Sequence, residues 1–347
     1  MRQSHDHGHS HAGIWLKLVI SLAVGLGCLW LAARQVDHEA LDTALDRFDP
    51  RYLFPLVALS LLIQVFRALR WRVELQPLAR LPFLLLWEVV SVAYMMINVL
   101  PFRLGEPVRP ILLSWKTGLK IPAIVGNWVF EKMLDTAAMV LFIHLALVSN
   151  DLPHWAYEAS MFSLAMFLLL LALVVGFWLR GERFFQATAA RALPEPACVW
   201  VRGVLESARS GLQILPDRKL VAVAFALTIA LWSLPIVSSY LLMRAFGFEL
   251  PFAAALVVFV AIGVGTALPH PPGMFGIFQI AAVVALGMFG VPKAEALAYG
   301  IVLNAIQFVT IVVQGLIAVA LLGIGVGEVT RAAVSHHARE FHHARPN

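Results

Sequence analysis

Three groups of polar and charged residues interrupt an otherwise apolar chain. The first is Arg103, Glu106 and Arg109, in Leu100-Pro101-Phe102-Arg103-Leu104-Gly105-Glu106-Pro107-Val108-Arg109. Spaced three apart, they would share one side of a helix, although Pro107 and Pro110 interrupt a regular one. Arginine offers a planar fork of donors that fits a phosphate bidentately. The chemistry indicated is recognition of an anionic group, with Glu106 as counter-charge. A loop of solvated charges is the alternative.

The second group is Glu131, Lys132 and Asp135, with Asn127 one turn earlier. Glu131 and Asp135 are four apart, on one helical face. They read as a proton- or cation-linked acidic pair, as partners for Arg103 and Arg109, or as an internal ion-pair network. A charge at membrane depth costs about 2.5–3.5 kcal/mol or more. Balancing Arg103, Arg109 and Lys132 against Glu106, Glu131 and Asp135 predicts one shared polar cavity, open to water.

The third group lies in 269–279. Gly273 and Gly276 allow close backbone approach, and the helix start that follows could present amides to an anion, beside Gln279. Asn304, Gln307 and Gln314 recur at helical spacing and read as interhelical hydrogen-bonding residues. Arg67, Arg70, Trp71 and Arg72 form a basic cluster with an aromatic, the composition of a headgroup anchor. Direct substrate contact is the lesser reading there.

Other chemistry is not indicated. No nucleophile elbow, P-loop or H-E-x-x-H motif occurs, so no catalytic residue is expected. His5, His7, His9, His11, His336, His337, His342 and His343 crowd the two ends, but no cysteine or carboxylate completes a metal geometry. No metal and no cofactor are predicted.

The elements that must carry these groups belong to a membrane. Of 347 residues, 60% are hydrophobic and 14% charged, against about 25% charged in soluble domains. Mean hydropathy is +0.81. A soluble chain this apolar could not cover its surface, so the bilayer is the solvent. The net charge of +5 then points to cytoplasmic loops, not nucleic acid. Cys28 and Cys198 sit in unlike surroundings, which excludes a disulfide framework.

Apolar runs cover 14–33, 52–66, 82–100, 123–148, 159–179, 220–243, 252–268, 274–291 and 296–323. A spanning helix needs about 20 residues. Loops 67–80 and 180–219 are rich in arginine and lysine, whereas 150–158 has neither. The positive-inside rule puts both termini and both basic loops in the cytoplasm of a cell (inner) membrane. Parity then requires that 82–115 enter and return on one face, and that 252–291 do so from the other. Both are read as re-entrant hairpins, broken near Leu100-Pro101 and at Pro269-His270-Pro271-Pro272-Gly273. Ordinary hairpins with prolines at their turns are the alternative. The fold class is all-α, a polytopic helical bundle in a single membrane domain over 14–323, with tails 1–13 and 324–347. An amphipathic helix near 199–215 should lie on the cytoplasmic interface, with Arg202, Glu206 and Arg209 opposite its apolar face.

Several of these residues carry a family resemblance: Arg70-Trp71-Arg72, the stretch from Asn98 to Glu106 with Arg109, Glu131 with Asp135, and Pro272-Gly273-Met274-Phe275-Gly276. Over most of 14–323 the chain resembles the lysylphosphatidylglycerol synthase transmembrane-region, or flippase-like, family. The resemblance implies movement of aminoacylated or other lipids between leaflets. It adds Asn98 to the substrate-binding candidates. The synthase activity of that family belongs to a separate soluble domain, which the 24 residues after the last apolar run would not hold. Met274 stands where the family's turn has a second glycine, and Gln279 where it has an acid. The function expected is therefore a lipid transporter or flippase-like protein, not an enzyme. A scaffold for a separately encoded lipid-modifying synthase and a membrane enzyme acting on a lipid-linked substrate are the alternatives. Expected partners are membrane lipids, with a separate lipid-modifying enzyme and a second copy of the chain as candidates, and no nucleic acid.

Overall fold

The computed structural model describes residues 27, 30, 36, 38–100, 105–148, 154–188, 195–267 and 271–324. The apolar run 14–33, both histidine-rich tails, Arg103 and Pro269-His270 lie outside the described residues. Eleven α-helices are named among those residues. They are α1 (His38–Asp46), α2 (Leu53–Leu75), α3 (Phe83–Val99), α4 (Val108–Thr117), α5 (Ile121–Val148), α6 (His154–Thr188), α7 (Glu195–Ser210), α8 (Arg218–Ala245), α9 (Phe252–Ala267), α10 (Ile277–Gly287) and α11 (Lys293–Leu322). Two short 3-10 turns, Pro50–Tyr52 and Pro272–Met274, complete them, and no strand occurs among the described residues. The chain is an all-α membrane protein, as expected.

Among the described residues, four segments are long and apolar enough to cross a bilayer: Pro50–Leu75, Ser160–Leu179, Arg218–Ala245 and Lys293–Leu322. Helix α5 has 28 residues, about 42 Å at 1.5 Å per residue, which is also a spanning length. Its apolar length is interrupted near the middle by three charged residues, Glu131, Lys132 and Asp135. Helices α3 and α9 are shorter, with 17 and 16 residues, and α4 and α10 have only 10 and 11. The last two rise about 15–17 Å, roughly half the hydrocarbon thickness.

Two boundaries differ from the sequence reading. The run read as 52–66 continues helically through Arg67–Arg72 to Leu75, so the first half of the expected basic loop 67–80 is helix. A helix can hold Arg70 because carboxylates meet it there, as described below. Helix α4 forms despite Pro110. That proline lies in the first turn, where backbone N–H groups lack intrahelical partners in any case.

The chain divides into two compact units. One comprises 1–64, 88–109 and 234–347, and the other 65–87 and 110–233. In the first unit, α11 is the spine. Gly300 brings it so close to α10 that a Cβ there would lie 2.9 Å from the Gln279 Cα. Farther along, Gly315 meets Met95 of α3. Tyr299 is buried among Phe246 and Phe248, and its hydroxyl donates to the Ser239 carbonyl at 3.0 Å. Helix α1 packs on α11, and the two are tied by Arg47 and Glu295 at 2.5 Å. Close approaches flank both interruptions. Gly105 lies against the backbone of Met96 and Ile97, and Gly265 against the Ile277 side chain at the start of α10.

In the second unit, α5, α6 and α7 pack together around Phe130, Leu134, Val174, Leu212 and Ile214. Gly126 of α5 meets the Ala208 carbonyl at the end of α7, and Gly211 meets the Ala123 carbonyl. Two glycines thus bring two backbones into contact, as small residues do between membrane helices. Arg202, Glu206 and Arg209 of α7 are exposed, and Val204, Leu205 and Ala208 are partly covered, which agrees with the amphipathic pattern.

Candidate functional site: a buried ion network around Arg70

The densest charged constellation among the described residues lies in the second unit. Helix α2 delivers Arg70 and Glu74, one turn apart; α5 delivers Glu131, Lys132 and Asp135; α8 delivers Thr228 and Trp232. Arg70 Nη2 donates to Glu131 Oε1 at 2.8 Å, and Nη1 donates to Asp135 Oδ1 at 2.5 Å. Nη1 also reaches Thr228 Oγ1 at 3.4 Å, and Nε lies 3.4 Å from Glu74 Oε1. Trp232 Nε1 donates to the same Asp135 oxygen at 2.9 Å. The other Asp135 oxygen faces Lys132 Nζ at 3.5 Å.

The guanidinium is suited to this place. Its planar fork can serve several carboxylates at once, which a lysine ammonium cannot do with the same geometry. Ion pairs buried together offset the cost of removing each charge from water, and an unpaired member would be expensive at membrane depth. The neighbouring Trp71 and Asn127 extend the network: Trp71 Nε1 donates to Asn127 Oδ1 at 3.0 Å, and Asn127 Nδ2 donates to the Glu74 carbonyl at 3.1 Å. Helices α2 and α5 are therefore fastened by polar contacts over several turns.

Burial grades outward from Arg70. Side-chain exposure is 2% at Arg70, 1% at Glu131, 13% at Asp135 and 43% at Lys132. Lys132 thus forms the open rim of a closed network. Its Nζ also sits 5.9 Å from the Trp128 ring centre, at the outer range of a cation–π contact.

The expected site residues distribute as follows. Glu131, Lys132 and Asp135 come together, and Arg70, expected at the interface, meets both carboxylates; Arg103 lies outside the described residues. Arg70 and Trp71 are 2% and 1% exposed, so they cannot serve as headgroup anchors. They lie on the inward side of α2. Arg72 is exposed and Arg67 partly so. Arg109 is buried and Glu106 half-buried at the entry to α4, in the first unit. Asn98 donates to the Tyr94 carbonyl of its own helix at 2.9 Å.

At the second break, Gly273 and Gly276 take positive φ, 68° and 87°, as does Met274, at 55°. The Gly276 N–H is engaged within the chain, donating to Gln279 Oε1 at 2.7 Å, and the Gly273 carbonyl accepts from Asn304 Nδ2 at 2.9 Å. Gln279 therefore caps its own helix, and Asn304 supplies the interhelical bond expected of it. Gln314 donates to Thr310 of its own helix.

Sequence reasoning missed Glu74, Thr228 and Trp232. The spacing of four between Arg70 and Glu74 was a usable signal, since it places both on one face of a helix. No group of histidine, cysteine and carboxylate side chains with metal-site geometry occurs among the described residues.

Comparison with known proteins agrees with this architecture. A UPF0104 membrane protein from Methanothermobacter thermautotrophicus is 22% identical over 340 residues, covering 90% of this chain and 97% of its own. A second UPF0104 membrane protein, from Methanocaldococcus jannaschii, is 24% identical over 225 residues, covering 63% of this chain and 91% of its own. Residues 14–315 match the family described as the lysylphosphatidylglycerol synthase TM region, and the chain belongs to that family.

Proposed function

We propose that this protein moves an anionic lipid, or a lipid-linked anionic substrate, between the leaflets of a cell (inner) membrane, with both termini cytoplasmic. The observation that carries this reading is the Arg70 network. Five ionisable side chains are gathered on α2 and α5, and the set opens outward at Lys132. Intramembrane charges are costly to hold and characteristically line substrate or ion paths. The two broken segments support the same reading. In each, a longer limb is followed by one too short to cross, α3 by α4 and α9 by α10. Irregular backbone at membrane depth requires burial in protein or a wet cavity, which fits re-entrant hairpins. The protein acts here as a transporter without bond chemistry, with membrane lipids as its partners and Arg103, Glu106 and Arg109 as further contacts for the anion.

A second reading follows from the family description, which names the membrane region of a synthase. On that reading the chain holds lipid for a separately encoded lipid-modifying enzyme, as a scaffold or accessory subunit. Reconstitution separates the two. Purified protein in liposomes carrying fluorescent anionic, zwitterionic or aminoacylated lipid in one leaflet should accelerate leaflet exchange over protein-free vesicles. Exchange at the protein-free rate for every lipid rejects transport and leaves the accessory role.

A further inference from the structure

The geometry points to Lys132 as the exchangeable cation of an anion-binding site: its ammonium leaves Asp135 for the phosphate of a net-anionic phosphodiester headgroup, while Arg70 and Trp232 keep Asp135 compensated. This rests on the lipid-handling reading above and adds the residue and the exchange that would receive the headgroup.

Three observations support it. First, the two Asp135 oxygens are unequally held. Oδ1 accepts both Arg70 at 2.5 Å and Trp232 at 2.9 Å, whereas Oδ2 meets Lys132 only at 3.5 Å. Withdrawing Lys132 leaves the carboxylate with its two shorter bonds intact. The usual penalty for breaking a buried pair comes from the uncompensated charge left behind, and here it is largely removed. Second, exposure falls in the same order. Lys132 is 43% exposed and Asp135 13%, while Arg70 is closed off at 2%. The lysine is the most exposed of these charges, on the side from which a headgroup would approach. Third, depth makes this exposure informative. Lys132 lies eleven residues beyond the start of α5, roughly 17 Å along a helix of about 42 Å. With the roughly 30 Å hydrocarbon layer centred on that helix, its Cα is about 10 Å inside. A lysine facing lipid there would snorkel back along the helix toward the nearer boundary. Instead its amine remains within reach of Asp135, one turn deeper.

Trp128 and Trp232 flank the exchange. Trp128 holds the ammonium loosely against its ring face, and Trp232 holds the carboxylate through its indole N–H. The partner chemistry follows from the charge. An ammonium is a compact point charge suited to a phosphate oxygen. A headgroup that carries its own ammonium can neutralise its phosphate internally and should compete poorly.

Lysine footprinting tests this on the full chain. The sequence has few lysines, and Lys293 provides a reference far along the chain. Detergent-purified protein is acetylated with acetic anhydride in micelles supplemented with phosphatidylglycerol, with phosphatidylcholine, or with inorganic phosphate, and peptides are quantified by mass spectrometry. Phosphatidylglycerol should lower Lys132 modification by about tenfold, the effect of roughly 1.4 kcal/mol of preferential binding. Phosphatidylcholine and inorganic phosphate should leave it nearly unchanged, as should every condition for Lys293. Trp232→Phe removes one donor from Asp135 and strengthens its hold on Lys132, so half-protection should shift to a higher phosphatidylglycerol fraction. A lysine that merely sits beside lipid would not respond to that substitution. Equal protection by both lipids, protection by inorganic phosphate alone, or an unmoved Trp232→Phe titration overturns the proposal. Footprinting and leaflet exchange also fail separately. Protection without exchange rejects transport only, and exchange without protection rejects the role of Lys132 only.

Discussion

Arg70 Nη2 lies 2.8 Å from Glu131 Oε1, with both side chains withdrawn from the surface. The bond joins α2 to α5 at a point where neither helix could hold its charge alone. Removing one partner of such a pair typically costs about 3–5 kcal/mol, because the survivor is left buried and uncompensated. Arg70→Ala should therefore lower the thermal unfolding temperature in detergent well below that of Arg72→Ala, whose parent side chain is exposed. Arg70→Lys should recover little, since one ammonium cannot reproduce the fork that meets Glu131 and Asp135 together. Matching melting curves for Arg70→Ala and Arg72→Ala would mean that the network does not hold the second unit together.

Helix α7 offers a contrast that is independent of charge. At Gly126 and Gly211 an added methyl would meet backbone carbonyls, which have no rotamer by which to yield. Gly126→Ala and Gly211→Ala should each destabilise by about 1–3 kcal/mol, as overpacking does. Gly176, on α6, has nothing within 4 Å of that position. Gly176→Ala should be neutral, or stabilising by up to about 1 kcal/mol through helix propensity. Thermal unfolding of the three variants side by side decides the matter, and a ranking with Gly176→Ala worst would contradict the packing described.

The turn before α10 carries a residue under strain. Met274 has φ 55°, a left-handed conformation that costs an L residue about 1–2 kcal/mol and costs glycine nothing sterically. Met274→Gly should leave the protein as stable as before, or more stable by up to about 1 kcal/mol. Gly273→Ala should destabilise, because it adds the same strain and drives a methyl into the Phe275 ring. Asn304→Ala should also cost about 1–3 kcal/mol by leaving the buried Gly273 carbonyl without its donor. Loss of stability in Met274→Gly would show that the methionine side chain, and not the backbone, governs this turn.

Accessibility distinguishes re-entrant hairpins from full crossings. With Cys28 and Cys198 replaced, single cysteines at Phe102 and Pro271 are probed by impermeant maleimides on intact and inverted vesicles. The proposal expects Phe102 to react from the cytoplasmic side, if at all, and Pro271 from the opposite side. Labelling of Phe102 only from outside, or of Pro271 only from inside, would make the segment concerned a complete crossing and remove that hairpin from the transport argument.

Composition and periodicity by themselves settled the class of this protein. Long apolar runs have no alternative to helices in a bilayer, because only a helix satisfies its backbone within one segment. The helix ends at Val99 and Ala267 were equally legible, since the prolines and glycines that follow act locally. So was the acidic pair Glu131 and Asp135, whose spacing fixes a common face. The partner of that pair was not legible. Arg67, Arg70 and Arg72 are alike in composition and lie within six residues, yet one is buried and one exposed. Which of them turns inward depends on the rotation of α2 against α5 and α8, set by Glu74, Thr228, Trp232 and Asn127 together. Positive-inside reasoning treats all arginines at a helix end as interfacial, and it fails where distant carboxylates can draw one inward. Close backbone approach at Gly126 and Gly211 was hidden for the same reason: a glycine shows that room is available, and only the packed helices show what fills it.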